Sequence, residues 1–427
     1  MRAIREWWRF FKLLTAAVVL MCLNTAVAQV SYRVTDLGFP ADFGQQGVFG
    51  CAMGLNNHGW TEAMERYLDA NGNFVGRAVV NVGGLKLDLG TLGGRNSYIN
   101  WGGINDRGEA VGLAETSVPD PNGEDVCGFG TALTCRPFIW QAGRMSALPT
   151  LGGNNGQASA INSRGEVVGV AENSTPDSTC VNINQVFQTK PVIWNNGVPQ
   201  ELPPVSGDPD GIALGINDLG QAVGNTGSCG ILFGTGPHAV LWDNGSAVEL
   251  PNLGGNAAFA VPFAINNQGQ VAGGSNSPDG TTFYAVLWQN GTIANLGTVP
   301  GDFAAFASGI NDKGQVVGST FDSSFNNAHG FIWQNGVMTD LNTLFPASSN
   351  LYATMANKIN SRGQISGMAT VLSGPNAGQI HAFLATPVNA SIGASAAALA
   401  ATHGKPAVPA NVQKQLLRRF GLGRFVQ

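Results

Sequence analysis

Short apolar runs separated by glycine-rich turns recur along the chain from about residue 30 onwards. Runs of this length, bounded by glycine, predict β-strands. The strongest recurring unit is Ile-Asn-x-x-Gly-x-x-x-Gly, which predicts the end of one strand (A), a type I turn with a left-handed glycine, and a second strand (B). The spacing between copies is 45–57 residues. Seven copies, the first of them degenerate, start at Leu55, Ile104, Ile161, Ile216, Ile265, Ile310 and Ile359.

A second unit follows each first unit and predicts two more strands. Its pattern is an aromatic-aliphatic run such as HGFIWQNG from His329, which predicts strand C, and a third unit with Asp-Leu or Glu-Leu predicts strand D. Asn-Gly pairs between C and D predict type I′ hairpin turns at 196–197, 244–245, 290–291 and 335–336. The repeated Trp140, Trp194, Trp242, Trp288 and Trp333 occupy one position of strand C, which predicts a core between repeats.

Four short antiparallel strands per repeat is the size of a β-propeller blade, and an open β-solenoid is the alternative. The two ends of the repeat region separate these interpretations. The seventh repeat has no strand D, whereas an isolated D-like strand, Tyr32–Gly38, precedes the first strand A. A ring uses such a split unit, because the N-terminal strand completes the last blade and removes both sheet edges. We therefore predict an all-β, seven-bladed propeller over 29–388, closed by a strand that buries Val34 and Leu37.

The repeats resemble those of the HAF family of extracellular repeat proteins, whose name comes from a motif like His381-Ala382-Phe383. The resemblance covers nearly all of 29–388. It implies export and a repeat architecture, and it brings no assigned reaction and no catalytic residues. The first repeat and strand C of the seventh depart from the pattern, as units beside a ring closure are expected to do.

The two ends of the chain differ from the repeats in composition. Residues 1–28 have a basic start, an apolar stretch too short for a stable membrane anchor, and Ala26-Val27-Ala28 before Gln29, which together predict a cleaved signal peptide. The alternative is an uncleaved anchor. Residues 389–427 are basic and rich in small residues, which predicts either a flexible tail or a basic amphipathic anchor. The protein is thus expected to be secreted, extracellular or periplasmic, with no transmembrane segment after cleavage.

The repeat region is acidic and the whole chain is low in charge. Charged residues are 11% of the chain and glycines number 59, which argues against a disordered chain or a coiled coil. Residues 29–388 carry 13 basic and 26 acidic residues. A net-acidic body binds nucleic acid poorly, because that affinity depends on neutralising phosphates. No phosphate loop, zinc signature or nucleophile elbow is present, so we predict no cofactor and no catalytic motif.

Five cysteines remain after removal of the signal peptide, an odd number. An exported protein can form disulfides. Cys127 and Cys135 lie in one predicted loop and form the best candidate pair. Cys180 and Cys229 lie in equivalent loops of successive repeats and form a weaker one. Cys51 is expected to be a small buried apolar residue.

The topology places the short A–B and C–D turns on one face and the D–A and B–C connections on the other. The B–C connections vary in length, and variable loops on a uniform scaffold are where binding is usually found. A ring of cationic or hydrogen-bonding residues opens strand C, which predicts either shielding of each blade's own loop or a site for acidic glycans or carboxylates, made pH-dependent by its histidines. Its members are Arg77, Arg136, Lys190, His238, Tyr284, His329 and His381.

Two further segments have closely spaced oxygen ligands. Asp120, Asn122 and Asp125 form a weak calcium candidate that lacks the full EF-hand spacing, and the alternative is a plain turn. Residues 208–211 are predicted to be a turn. No other metal site is predicted.

Three functional hypotheses follow from these patterns. The first is an exported non-enzymatic scaffold that binds an envelope or extracellular ligand, a glycan or a protein, on its variable face. The second is a polysaccharide-active hydrolase or lyase at the channel mouth, which requires an Arg or His close to a carboxylate on that rim. The third is a structural role in a surface layer. The sequence names neither the ligand nor any reaction.

Overall fold

The computed structural model describes residues 30–38, 49–69, 71–181, 184–205, 207–229, 236–255, 259–325 and 327–388. The described strands form seven four-stranded antiparallel sheets, arranged as the blades of a β-propeller. In each sheet the strand order from first to last is A, B, C, D. The fold predicted from the sequence is confirmed. The signal peptide predicted at 1–28 and the tail predicted at 389–427 lie outside the described residues.

The chain contributes 28 described strands and one 3₁₀ helix over Leu341–Leu344. The strands, blade by blade, are β2 Phe49–Leu55, β3 Thr61–Leu68, β4 Phe74–Val82 and β5 Leu85–Asp88 in blade 1; β6 Gly93–Ile104, β7 Ala110–Pro119, β8 Leu133–Gln141 and β9 Arg144–Ala147 in blade 2; β10 Gly152–Ile161, β11 Val167–Pro176, β12 Phe187–Asn195 and β13 Val198–Glu201 in blade 3; β14 Asp210–Ile216, β15 Ala222–Gly227, β16 His238–Asp243 and β17 Ser246–Glu249 in blade 4; β18 Ala260–Ile265, β19 Val271–Asn276, β20 Phe283–Gln289 and β21 Thr292–Gly297 in blade 5; β22 Ala304–Ile310, β23 Val316–Phe321, β24 Ala328–Gln334 and β25 Val337–Asp340 in blade 6; and β26 Leu351–Ile359, β27 Ile365–Val371, β28 Ile380–Val388 and β1 Ser31–Gly38 in blade 7.

The A strands are the innermost elements, and each contacts the A strand of the next blade in a closed ring. One cluster of buried apolar side chains includes residues from all seven blades. Its bulky members Leu214, Phe263 and Phe306 come from three successive A strands, and the rings of Phe263 and Phe306 lie 6.4 Å apart in a T-shaped arrangement. Apolar packing between the innermost strands therefore joins the blades into one core.

The N-terminal strand closes the ring as predicted, because β1 pairs antiparallel with β28 from Ser31 opposite Val388 to Asp36 opposite Phe383. The buried side chain of this strand is Tyr32, which is 2% exposed and packs with Phe383 in the core of blade 7. Val34 and Leu37, predicted to be buried, are half-buried. Val34 lies on the same face of β1 as Tyr32 and packs against the same core, and Leu37 lies at a shift in the strand register between Asp36 and Gly38.

The repeated tryptophans lie between blades, as predicted. Trp194, Trp242 and Trp288 are at most 1% exposed, and each indole N–H donates to the carbonyl of a proline in the D–A connection of the preceding blade, at 2.6–2.7 Å. Trp140 is also buried, and Trp333 is half-buried. The C–D turns have the predicted type I′ geometry, with φ of 48–52° at the asparagine and 73–83° at the glycine of the four Asn-Gly pairs.

The repeated asparagine of the Ile-Asn motif joins all seven blades in a closed ring of hydrogen bonds. Each side-chain N–H₂ donates to the backbone carbonyl of the equivalent asparagine in the next blade, at 2.9–3.0 Å, and Asn360 of blade 7 donates to Asn56 of blade 1. Each side-chain oxygen accepts two backbone N–H groups of its own A–B turn. We call this ring the asparagine belt; its members are Asn56, Asn105, Asn162, Asn217, Asn266, Asn311 and Asn360.

In six of the seven blades a Glu or Gln at the start of strand B accepts the second amide hydrogen of the belt asparagine, at 2.6–2.9 Å. The buried amide therefore has all its hydrogen-bonding groups paired in these blades. The belt makes the face of the A–B and C–D turns, here called the turn face, nearly identical from blade to blade.

Candidate binding face

The opposite face carries the D–A and B–C connections and is called the loop face. Its longest B–C connections belong to blades 2, 3 and 4, and two disulfides fasten them. One disulfide joins Cys127 in the loop of blade 2 to Cys135 in strand β8 of the same blade, so only Cys127 lies in the loop predicted to hold both. Cys180 and Cys229 join the loop of blade 3 to that of blade 4. Both pairs are the ones considered in the sequence, and Cys51 is fully buried in the core.

Hydrogen bonds also connect these loops to each other. The carboxylate of Glu124 in the blade 2 loop accepts the backbone N–H of Val186 in the blade 3 loop, at 2.7 Å. The amide of Asn184 donates to the carbonyl of Gly123 at 2.9 Å. In the blade 4 loop, Cys229 donates its N–H to the hydroxyl of Thr179 at 3.1 Å. Blades 2, 3 and 4 thus present one cross-linked loop surface.

Carboxylates are buried beneath this surface rather than displayed on it. Glu172 of strand β11 is 1% exposed and accepts the backbone N–H groups of Asn154 and Asn155, both at 2.9 Å. Burial and the nearby carboxylate of Glu124 raise the pKa of Glu172 to about 7. The side-chain amide of Asn155 contacts both Glu172 and Asp120, so it links the loop of blade 2 to blade 3.

A second pair of buried carboxyl groups lies at the boundary between blades 3 and 4. Asp210, the first residue of β14, is fully buried, and Asp177, which opens the blade 3 loop, is 7% exposed. The side-chain N–H₂ of Gln185 donates to Asp177 Oδ2 at 3.3 Å and to Asp210 Oδ2 at 3.0 Å. Burial and the neighbouring carboxyl group of Asp177 raise the pKa of Asp210 to about 7. The turn predicted at 208–211 is wrong at Asp210 and Gly211, which begin strand β14. The other oxygen of Asp210 accepts the N–H of Thr189 at 2.7 Å.

Glu172, Asp177 and Asp210 were not singled out as site residues from the sequence, whereas Asp120 was considered only as a calcium ligand. Each is separated from its partner by many residues, and single aspartates in loops are common. The one signal in the sequence is an aspartate at the same position directly after strand B, Asp120 in blade 2 and Asp177 in blade 3.

The seven residues predicted to form a rim ring do occupy one register position. Each lies in strand C opposite the fifth residue of strand B. The three cationic members contact an oxygen of their own outer strand or of the connection that follows it: Arg77 Nε lies 3.6 Å from Asp88 Oδ2, Arg136 Nη1 donates to Thr150 Oγ1 at 3.1 Å, and Lys190 Nζ donates to Pro209 O at 2.5 Å.

The three histidines of the ring each contact an aspartate through Nδ1. The pairs are His238 with Asp208 at 2.7 Å, His329 with Asp302 at 2.5 Å, and His381 with Asp36 at 2.9 Å. Tyr284 is half-buried opposite Ser275. These contacts within the chain favour the loop-shielding interpretation of the ring over a shared acidic-ligand site.

Each His–Asp pair places a histidine close to a carboxylate, as the enzymatic hypothesis requires. The pairs differ in how far their side chains are exposed to solvent. The side chains of His329 and Asp302 are only 3% and 0% exposed, which leaves no access for a polymer. Those of His238 and Asp208 are 34% and 12% exposed. Asp208 also accepts the hydroxyl of Thr226 at 2.5 Å, so its carboxylate anchors strands B and C of blade 4.

Three of the four carboxylate oxygens in the weak calcium candidate accept hydrogen bonds from the protein, and Asp125 Oδ1 is buried without one. Asp120 Oδ1 accepts the backbone N–H groups of Asn122 and Glu124, at 2.8 and 3.1 Å, and Asp125 Oδ2 accepts that of Gly130 at 2.8 Å. This is the pattern of an Asx turn. Within the described residues, the grouping closest to a metal site is Asp177, Cys180 and Cys229, whose two cysteines form the disulfide described above.

Among the described residues of the blade 2 and blade 3 loops, the exposed positions carry no charge, and Asp125 is half-buried. The exposed positions at 117–119, 121–123, 174–176, 178–179 and 181 are filled by Ser, Thr, Asn, Pro, Gly and Val. Asn173 and Cys180 are half-buried. Val118 and Val181 are 57% and 71% exposed. The carboxylates of Asp120 and Asp177 point their charge inward, so a partner meets hydroxyl, amide and apolar groups.

No family model and no curated protein matches the chain. Several solved structures are similar to the chain, each with a TM-score below 0.5. The β-propeller domain of the trilobed protease from Pyrococcus furiosus is 9% identical with a TM-score of 0.47, over 79% of this chain and 94% of that chain. The acylaminoacyl peptidase from Pyrococcus horikoshii is 11% identical with a TM-score of 0.45, over 80% of this chain, which spans only 52% of that peptidase. TolB from Acinetobacter baumannii is 14% identical with a TM-score of 0.37, over 72% of this chain and 61% of that one. At these values the likeness concerns the fold alone.

One structural feature bears on the prediction that no transmembrane segment remains after cleavage. In the part of the chain that the structure describes, no helix has the length and apolarity needed to cross a bilayer.

Proposed function

We propose that this chain is an exported, non-enzymatic β-propeller scaffold that binds a glycan or a protein through the loop face of blades 2–4. The observation that carries the proposal is the contrast between a turn face repeated in every blade and a loop surface that is variable, disulfide-linked and hydrogen-bonded across three blades. A surface already rigid before binding loses little conformational freedom when a partner arrives.

The surface also indicates the kind of partner. Its exposed groups are uncharged, and the cations of the predicted ring are paired with oxygens of the chain. An uncharged glycan or a neutral protein surface therefore fits better than the acidic glycan considered from the sequence. Export and membership of the HAF family belong to the same proposal; the two disulfides support an oxidising compartment.

Two valines of blade 3 give a matched test. Val181 lies on the loop face and is 71% exposed, whereas Val198 opens β13 on the turn face and is 67% exposed. A folded V181D variant is expected to lose at least about tenfold in affinity for a partner found on a glycan array or in an envelope pull-down, because it places an unpaired charge in the contact. V198D is expected to bind like the unmodified protein. Equal binding by both variants, or no capture by the folded protein, would contradict the proposal.

The second candidate is a polysaccharide-active enzyme, and the partly exposed His238 beside Asp208 is the observation that favours it. His238 lies on strand C of blade 4, two strands away from the innermost strand, and Asp208 lies in the D–A connection that leads into this blade. If it is catalytic, H238A should abolish polysaccharide cleavage while leaving the melting temperature within a few degrees. Absence of any cleavage by the unmodified protein on a broad polysaccharide panel would remove this candidate.

A further inference from the structure

Three sulfur-containing side chains are grouped in the core of blade 1. Cys51 of β2 is fully buried, Met53 of the same strand is nearly so, and Cys51 Sγ lies 2.9 Å from Met53 Sδ. Met64 of β3 is buried and is the register partner of Cys51, so the two side chains share one face of the sheet with Cβ atoms about 4.5–5.5 Å apart. All three belong to the apolar cluster that joins the blades. One thiol and two thioethers therefore lie close together.

The sulfur donors of the chain are concentrated in this part of the ring. Five cysteines follow residue 28 and four of them form the two disulfides, so Cys51 carries the one thiol of this part of the chain. Six methionines follow residue 28, and besides Met53 and Met64 two more, Met355 and Met368, are register partners in blade 7, whose strands β26 and β27 contact β2. Four of the six methionines thus lie in the two adjacent blades 7 and 1. By contrast, the sulfur atoms beside Asp177 are joined in a disulfide.

A polar side chain from blade 7 reaches these sulfur atoms. Asn357 of β26 is 1% exposed, and its Nδ2 lies 3.3 Å from Cys51 Sγ and 3.9 Å from Met53 Sδ while it donates to the carbonyl of Ala52 at 2.8 Å. Its Oδ1 is buried without a hydrogen-bond partner. A buried amide with an unpaired oxygen is uncommon, and an N–H donor next to a thiol favours the ionised form of the thiol. The amide therefore supplies the hydrogen bond that a buried thiolate needs.

The donor atoms select the kind of ion that fits them. Thiolate and thioether sulfurs are soft ligands that favour Cu(I), whereas Mg²⁺, Ca²⁺ and Mn²⁺ take oxygen donors. Charge separates Cu(I) from divalent ions, because one thiolate neutralises a monovalent ion and a divalent ion would keep an uncompensated charge in an apolar core. The thioethers add donors without adding charge. A neutral Cu(I)–thiolate complex is therefore the one that this core can hold.

We propose that Cys51, Met53 and Met64 bind one Cu(I) ion and that Asn357 positions and stabilises the thiolate. On binding, the S–H bond of Cys51 breaks, its proton goes to solvent and a sulfur–copper bond forms. Each thioether donates a lone pair, and copper stays Cu(I), so no electron is transferred. The flexible methionine side chains let the sulfur atoms move apart to admit the ion. The site lies in the core and does not depend on the function proposed for the loop face.

Burial of the donors determines how the ion enters and how it can be detected. Since the three donors are buried in the folded protein, the ion is taken up as the strands of blade 1 assemble, and it stabilises the folded state that holds it. The exported protein is unfolded in urea with its disulfides intact and refolded with Cu(I) buffered by a colorimetric chelator, or with Ag(I) as a second monovalent soft probe. Protein produced with and without copper in the growth medium gives the same comparison without refolding.

The expected result is one ion per chain after desalting. It should be accompanied by a thiolate-to-copper charge-transfer absorption and by a melting temperature above that of the metal-free protein. A protein that retains no ion by either route, or whose melting temperature the ion leaves unchanged, overturns the proposal.

Four substitutions assign the donors. C51S keeps the size of the side chain but replaces sulfur by oxygen and should lower the affinity for Cu(I) by about a hundredfold or more, and M53L and M64L keep the volume and should each lower it by about tenfold or more. M338L, in β25 of blade 6, is the matched control and should bind like the unmodified protein.

Two outcomes of this series contradict the proposal. Unchanged affinity of C51S means that the ion is bound elsewhere, and equal affinity of M53L, M64L and M338L means that a lone thiol holds the metal. Because three donors are tested separately, one variant that fails to fold leaves two others to decide.

Discussion

The two faces of this propeller use hydrogen bonds in opposite ways. On the turn face, the same asparagine in every blade bonds to its counterpart, so seven nearly equal contacts close a ring with neutral amides. On the loop face, carboxylates such as Glu172 and Asp210 are buried by loops of only some blades. A neutral amide keeps its hydrogen bonds at any pH, whereas a buried carboxyl group gains or loses charge near its pKa. We infer that the turn face provides stability and the loop face provides a surface that can respond to its surroundings.

The largest effect is expected from removing the strand that both faces need. Deleting 30–38 removes β1, exposes the edge of β28 and uncovers the core that Tyr32 fills. Burial of one such side chain is worth roughly 1.5–3 kcal/mol, the ladder hydrogen bonds add to it, and a domain has only about 5–15 kcal/mol in total. The deleted protein should aggregate or melt far below the parent in a thermal scan.

Deletion of 389–427 is the control for this experiment, because none of the seven described blades contains those residues. Its melting temperature should match that of the parent. If the deletion of 30–38 melts like the parent instead, β1 does not close the ring and the two faces are not held by a common closure.

A smaller effect is expected from a single break in the asparagine belt. Asn217→Ala removes the bond to the carbonyl of Asn266 and leaves the backbone N–H groups of Leu219 and Gln221 without their acceptor. Unpaired buried polar groups cost about 1–3 kcal/mol each, so the free energy of unfolding in a urea titration should fall by about 2–4 kcal/mol.

The loop face offers a comparison for that variant. Asn173 is half-buried at the end of β11 and bonds to Thr175 and Gln188. Asn173→Ala should lower the free energy of unfolding by less than about 1 kcal/mol, since solvent can replace those bonds. Equal losses from Asn217→Ala and Asn173→Ala would mean that the belt is no more important for stability than an ordinary loop contact.

A pH titration tests the claim that charge lies under the loop face. Folding raises the pKa of Glu172 from 4.5 to about 7, so the folded state binds this proton more tightly than the unfolded state. The free energy of unfolding should therefore decrease as pH rises from about 4.5 to about 7, by about 3 kcal/mol at most for this one group, and level off above that.

Glu172→Gln should flatten part of this dependence, because glutamine keeps the hydrogen-bonding shape and does not ionise. On the turn face, Gln221→Glu would place a carboxylate at the position that Glu166 occupies in blade 3. Glu166 is only half-buried, so this variant should change the pH dependence of stability less than Glu172→Gln does. A stability that rises from pH 5 to pH 7 would contradict the interpretation of Glu172.

Part of the architecture could be predicted from local pattern alone. The Ile-Asn-x-x-Gly unit specifies a turn through the side-chain oxygen of its asparagine and a left-handed glycine, and the Asn-Gly pairs specify type I′ hairpins. The ring closure could also be predicted, because the chain has one D-like strand before the first repeat and lacks strand D in the seventh. These features depend on contacts within a few residues or on the count of strands.

The contacts between blades needed the tertiary structure. The same asparagine has a second role in the belt, but its partner lies 45–57 residues away and the sequence does not state which atoms meet. The seven rim residues were placed at the right register from the sequence, yet only the fold showed their contacts. Lys190 donates to the connection that follows its blade, and His329 contacts Asp302 in the connection that precedes its blade.

The sequence by itself therefore determined the elements, their order and the closure of the ring, because hydrophobic pattern and turn chemistry are local. Only the tertiary structure decided which polar groups are buried together. Asp177 and Asp210 are 33 residues apart and become neighbours because blades 3 and 4 pack side by side. Their shared hydrogen-bond partner Gln185 and their loss of solvent, which raises the pKa of Asp210, exist only after the blades have folded and docked.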